Sequence, residues 1–109
     1  MRKQITFTGF LILIFLTACK PKPSAGNNTI IKVQIEKMQF SPENLEVKKG
    51  DTVEWQNNDL TPHTVTSSIF GDSGSLQSGE SWQHIFPETG EFPYNCTFHP
   101  NMKGTIVVK

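Results

Sequence analysis

Apolar residues in this chain recur at every second position, in short runs, and no long stretch shows a helical period. Ile31, Val33 and Ile35 alternate with polar residues, and Leu45 and Val47 repeat the pattern before a Gly50-Asp51 turn. Val53 and Trp55 share a face, as do Trp82, His84 and Phe86, and again Phe92, Tyr94 and Cys96, before the chain closes on Ile106-Val107-Val108. Alternation of this kind puts one set of side chains on each face of a strand. The runs are rich in β-branched and aromatic residues and are broken by Gly, Pro, Asn and Asp, which predicts an all-β sandwich or barrel of seven to eight strands.

The N-terminus follows a different rule. Arg2 and Lys3 precede an apolar run from Ile5 to Ala18. A transmembrane helix needs about 20 apolar residues, so this run is too short to span and reads as a signal peptide over residues 1–18. Leu16-Thr17-Ala18-Cys19 resembles the bacterial lipobox, which implies that Cys19 is lipidated, becomes the first mature residue and holds the exported protein at the periplasmic or cell-surface face of a bacterial membrane. Residues 19–28, with Pro21, Pro23 and Gly26 among polar residues, read as a tether. The folded part is then 29–109, a single small domain. Such domains bury a limited share of their surface, and a metal bound only by the native state would stabilise one.

Losing Arg2 and Lys3 takes the ten basic residues to eight against ten acidic ones, a net charge of −2. With no basic stripe, nucleic acid is excluded as an expected partner. Assigning Cys19 to lipid leaves Cys96 as a lone thiol in an exported protein, with no partner for an internal disulfide.

Cys96-x-x-His99-x-x-Met102 supplies that thiol with company: a thiolate, an imidazole and a thioether at equal spacing in one loop. His63, in a polar turn after the Trp55 run, offers a second imidazole. Two His, one Cys and a weak axial Met make the trigonal donor set of blue-copper electron-transfer sites. Zinc takes Cys, His or carboxylate in its sites, so the methionine discriminates between the two metals. His84 lies in mid-strand without ligand partners and reads as structural or surface. Gly104, just beyond the loop, is expected to permit a close backbone approach beside the metal loop.

With these residues in view, the chain resembles the cupredoxins, and among them the plastocyanin and amicyanin branch. The resemblance runs through Met38-Gln39-Phe40-Ser41-Pro42, Val47-Lys48-Lys49-Gly50-Asp51-Thr52-Val53-Glu54-Trp55, Asn57-x-Asp59, Pro62-His63-Thr64-Val65, Ser78-Gly79-Glu80-Ser81-Trp82 and Gly90-x-Phe92-x-Tyr94-x-Cys96. It covers Ile31 to Val108 and implies a Greek-key β-sandwich holding one type 1 copper, cycling between Cu(I) and Cu(II), on His63, Cys96, His99 and Met102. Two positions depart from the pattern. Thr64 stands where many relatives carry Asn, and Phe98 where amicyanin has proline. With Thr97, Thr64 is a candidate for the hydrogen bonds around the ligands, and its shorter reach puts those bonds in question.

The resemblance implies a one-electron carrier that works outside the cytoplasm, monomeric, and meeting redox proteins such as a cytochrome or a copper or haem oxidoreductase. Copper storage or delivery is the alternative reading. An enzyme is not expected, since only three histidines exist and two are assigned to this one site. Pro62, Phe98 and Pro100 flank the ligands and would form an apolar collar for transient docking.

Overall fold

The alternating runs become strands in a computed structural model that describes residues 29–109; the expected signal segment 1–18, Cys19 and the tether to residue 28 lie outside the described residues. In chain order they are β1 (Ile30–Glu36), β2 (Gln39–Ser41), β3 (Asn44–Val47), β4 (Thr52–Asn57), β5 (Thr66–Ser67), β6 (Gly71–Asp72), β7 (Ser81–Ile85), β8 (Gly90–Asn95) and β9 (Lys103–Val108). No helix occurs among the described residues. The described residues form nine strands where seven to eight are expected. The difference includes β5 and β6, which are two residues each and carry no alternating apolar pattern. Cross-strand pairing alone defines them: Thr66 pairs with Asp72 and with Asn95.

The strands form two sheets, ordered β2-β1-β4-β7 and β3-β9-β8-β5-β6. Two pairings are parallel, β1 with β4 and β3 with β9. The chain leaves the first sheet after β2, lays β3 on the edge of the second, and returns as β4, so the two layers are stitched together early. Between them lie Val33, Ile35, Val53, Trp55, Phe86, Tyr94 and Ile106, all buried. Trp55 is fully enclosed, with Tyr94 edge-on at 5.4 Å and Trp82 at 5.6 Å. Burial of side chains this size is worth about 1.5–3 kcal/mol each, which makes this aromatic cluster the main anchor between the layers.

This architecture brings two distant segments to one end of the sandwich. β4 ends at Asn57 and feeds the stretch that carries His63. β8 ends at Asn95, and Cys96 follows directly. The Thr66–Asn95 pairing of β5 with β8 then sets the residues after His63 beside Cys96.

Candidate metal centre

The second of these segments is closed by its own backbone. The Cys96 N–H donates to the Met102 carbonyl at 3.0 Å, and the Met102 N–H donates to the His99 carbonyl at 2.8 Å. Three donor-bearing side chains therefore project from one short, pinned loop. Gly104 follows on β9, directly opposite Tyr94.

His63 is pinned by a separate set of bonds. It exchanges two backbone hydrogen bonds with Leu76, at 3.1 and 2.7 Å. Upstream, the buried Asn57 side chain donates to the Thr61 and Leu76 carbonyls, each at 2.9 Å, and accepts from the Asp59 N–H at 2.9 Å. Both donors and the acceptor oxygen of that amide are engaged by backbone, which suits a polar group with no exposure. The far edge of the His63 ring, Nε2, lies 2.8 Å from Asp59 Oδ2. A carboxylate there takes the Nε2–H as a hydrogen bond and leaves the Nδ1 lone pair free for a metal.

That lone pair meets the other donors. Cys96 Sγ is 3.7 Å from His63 Nδ1 and 3.8 Å from His99 Nδ1, and the three donor atoms all lie within 4.8 Å of one another. Donors this close can share one metal ion, and a thiolate and two imidazoles beside a thioether are the donor set that suits copper. His63 and Cys96 are wholly buried, Met102 is 6% exposed, and His99 is half-buried. Met102 and His99 line one cavity of about 530 Å³ together with Met38, Phe98 and Pro100.

The hydrogen bonds around the thiolate survive the change at Thr64. The Thr64 N–H donates to Cys96 Sγ at 3.3 Å, and the Thr97 N–H donates to Thr64 Oγ1 at 2.9 Å. The two threonine hydroxyls are 3.2 Å apart, and Thr64 Oγ1 is 2.9 Å from Thr66 Oγ1. A short side chain thus bridges to the cysteine loop because the loop residue it meets, Thr97, is itself drawn close.

Of the expected collar, Phe98 and Pro100 are exposed and Pro62 is half-buried. Met38, 41% exposed, lines one cavity with Phe98 and Pro100, and Leu60, 91% exposed, stands two residues before Pro62. His84 lies elsewhere, on β7, stacked on Trp82 at 5.7 Å and edge-on to Phe86 at 4.9 Å. Burial among these rings pushes its pKa below the usual histidine value.

Asp59 enters the sequence reading only within the Asn57-x-Asp59 segment, without a role; the structure sets it against the ligand ring four residues on. Its carboxylate also accepts the Lys37 N–H at 2.8 Å and the Met38 N–H at 3.0 Å. Burial pushes the Asp59 carboxyl up, but the Met38 amide, the His63 ring and the Lys37 amide outweigh it and hold the pKa below the ordinary value.

Three comparisons bear on this arrangement. The cupredoxin-like domain family matches residues 9–108. The chain is a cupredoxin-like protein. Amicyanin of Paracoccus denitrificans is 35% identical over 85 residues, spanning 72% of this chain and 65% of that protein's length. Plastocyanin of a Synechococcus strain is 30% identical over 125 aligned positions, covering 98% of this chain and 92% of its own. Among solved structures, a single-substitution amicyanin variant in the Cu(I) form superposes with a TM-score of 0.70 at 34% identity, covering 73% of this chain and 82% of that one. The cupredoxin fold thus accounts for the two-sheet order, and the donor cluster sits at one end of it.

Proposed function

We propose that this cupredoxin is a blue-copper electron carrier, in which His63, Cys96, His99 and Met102 would hold one type 1 copper. The observation that carries the reading is the convergence of two Nδ1 atoms on a buried cysteine sulfur, all within 4.8 Å of one another. When bound, copper supplies a one-electron couple between Cu(I) and Cu(II). The chain supplies the rest. The pinned loop and the Leu76 bridge hold the donors fixed, so little reorganisation accompanies a change of charge. Burial of Cys96, His63 and Met102 keeps water off the thiolate, while the half-buried His99 gives the electron a short path to the surface. All four positions are spent on binding, which leaves no open position for substrate.

The apolar rim of Pro62, Phe98 and Pro100 suits a small, quickly released interface with another redox protein, such as a cytochrome or a copper or haem oxidoreductase. Export past the inner membrane, a lipid on Cys19 and a tether reaching to the folded domain complete the proposal; the monomer would sit at a membrane face on the periplasmic or outer side. The alternative role, storage or delivery, needs copper to leave, and three of the four donors are buried against that.

One experiment separates the two roles. The Cu(I) protein is mixed with an oxidised cytochrome in one arm and with a Cu(I) chelator in the other. A carrier passes one electron per copper and keeps its metal on that timescale. Rapid loss of copper to the chelator with slow cytochrome reduction would establish delivery instead.

A further inference from the structure

The turn between β1 and β2 is unusual for its sequence. Lys37 and Met38 both have positive φ, 54° and 60°, in a two-residue hairpin connection. Such turns favour Asn-Gly or Gly-Gly, because a side chain in the left-handed region meets its own carbonyl. Here neither residue is glycine, so something else must hold the conformation. Both exposed N–H groups of the turn point at one carboxylate, that of Asp59, at 2.8 and 3.0 Å. The same carboxylate is 2.8 Å from His63 Nε2. Its own backbone N–H is fixed by Asn57.

We infer that Asp59 is a charged positioning residue of the metal centre, which locks His63 in its Nε2–H form, lowers the reduction potential through that ring, and clamps the Met38 turn beside the metal loop. The inference rests on the assignment of His63 as a ligand. The electrostatic argument is direct. Oxidation adds a positive charge at the site, and a fixed negative charge across one imidazole ring favours the more positive state. A carboxylate accepting the ring N–H also makes the opposite nitrogen a better donor, which favours Cu(II) over Cu(I). The clamp extends the effect to the surface. Met38 lines the cavity shared by Phe98, His99, Pro100 and Met102, so the rim of the docking face and the buried ligand are tied to the same two oxygens.

The test uses the copper-loaded protein and the variants Asp59→Asn, Asp59→Glu and Asp51→Asn. Asparagine keeps an acceptor and removes the charge. Loss of a supporting partner of a metal ligand typically costs about 10–100-fold in metal affinity. If that loss falls on Cu(II) rather than Cu(I), the potential rises, by about 59 mV for each tenfold. Asp59→Glu, which keeps the charge, should lie closer to the native potential. Asp51 is also a buried carboxylate, accepting the Lys48 N–H, but it stands at the opposite end of β4. Asp51→Asn should leave the potential unchanged, which removes general destabilisation as an explanation. Amide exchange at Lys37 and Met38 in the reduced protein should speed up at least tenfold in Asp59→Asn. An intact blue band with an unmoved potential in Asp59→Asn would overturn the inference while leaving the copper assignment standing. A native protein without a blue band would overturn the ligand assignment itself. Should Asp59→Asn fail to fold, a potential in Asp59→Glu that matches native, together with slow exchange at both amides, supports the inference, and fast exchange there with a raised potential refutes it.

Discussion

Gly104→Ala offers a measure of how tightly the metal end is packed. Gly104 pairs with Tyr94 across β8 and β9. A Cβ built at Gly104 would lie 2.9 Å from Tyr94 Cε1 and nearer still to Cζ and the hydroxyl. The ring has nowhere to go. Tyr94 is 4% exposed, with Phe40 edge-on at 4.7 Å and Trp55 at 5.4 Å. Overpacking of this kind costs about 1–3 kcal/mol. Replacing glycine also narrows the unfolded ensemble, a gain of about 0.4–1 kcal/mol. The net loss is then on the order of 1–2 kcal/mol, and for a domain of this size each kcal/mol moves Tm by about 4–8 °C. Thermal melts of the metal-free protein should therefore show a fall of roughly 5–15 °C. Tyr94→Phe in the same background should recover part of it, since the clash includes a hydroxyl that has no hydrogen-bond partner. A Tm equal to or above native in Gly104→Ala would refute the packing argument and show that chain entropy wins.

Met102→Leu should keep copper and raise the reduction potential, because losing a weak sulfur donor disfavours Cu(II); a lowered potential by voltammetry, or complete loss of copper, would contradict the axial role. Cys19→Ala should remove fatty-acid label from the protein and leave unprocessed precursor, and label persisting in the variant would refute Cys19 as the anchor. Burial raises the Tyr94 phenol far above its usual value, an effect the nearby Trp55 indole only partly offsets. Tyr94 is the sole tyrosine, so ultraviolet difference spectra report it alone. The folded protein should show no phenolate at pH about 11, where an ordinary tyrosine of pKa about 10 is mostly ionised. The linked stability is complete below the unfolded pKa of about 10 and falls above it by about 1.4 kcal/mol per pH unit, since only the unfolded chain releases the proton. Ordinary titration of the native protein would show that the ring is open to water.

Much of this was legible because strands with one buried face write their orientation into the sequence. Val33 and Ile35, Val53 and Trp55, and Tyr94 and Cys96 are buried where the alternation places them. The loop donors were legible for a similar reason: a short segment of close-spaced ligands needs little tertiary information to converge. What could not be read was whatever depends on contacts between distant segments. β5 and β6 are strands only because β8 lies alongside, and nothing in Thr66-Ser67 or Gly71-Asp72 alternates. The reach of Thr64 depended on where Thr97 came to lie. Asp59 was visible as a residue, but its role came from the Lys37–Met38 turn meeting it across the fold, and no local pattern announces a left-handed turn without glycine. Gly104 does allow a close approach, but by the Tyr94 ring and not by the backbone that the sequence suggests, because the register of β8 on β9 sets the two residues opposite each other.

Copper binding by Cys96 with His63 and His99 can be read from visible and electron paramagnetic resonance spectra of the purified protein with one equivalent of Cu(II), beside Cys96→Ser treated the same way. The native protein should show an intense thiolate-to-copper band and a narrow parallel hyperfine splitting, both absent from Cys96→Ser. A native spectrum with only weak absorption and wide splitting, or a strong blue band that survives in Cys96→Ser, would contradict that binding.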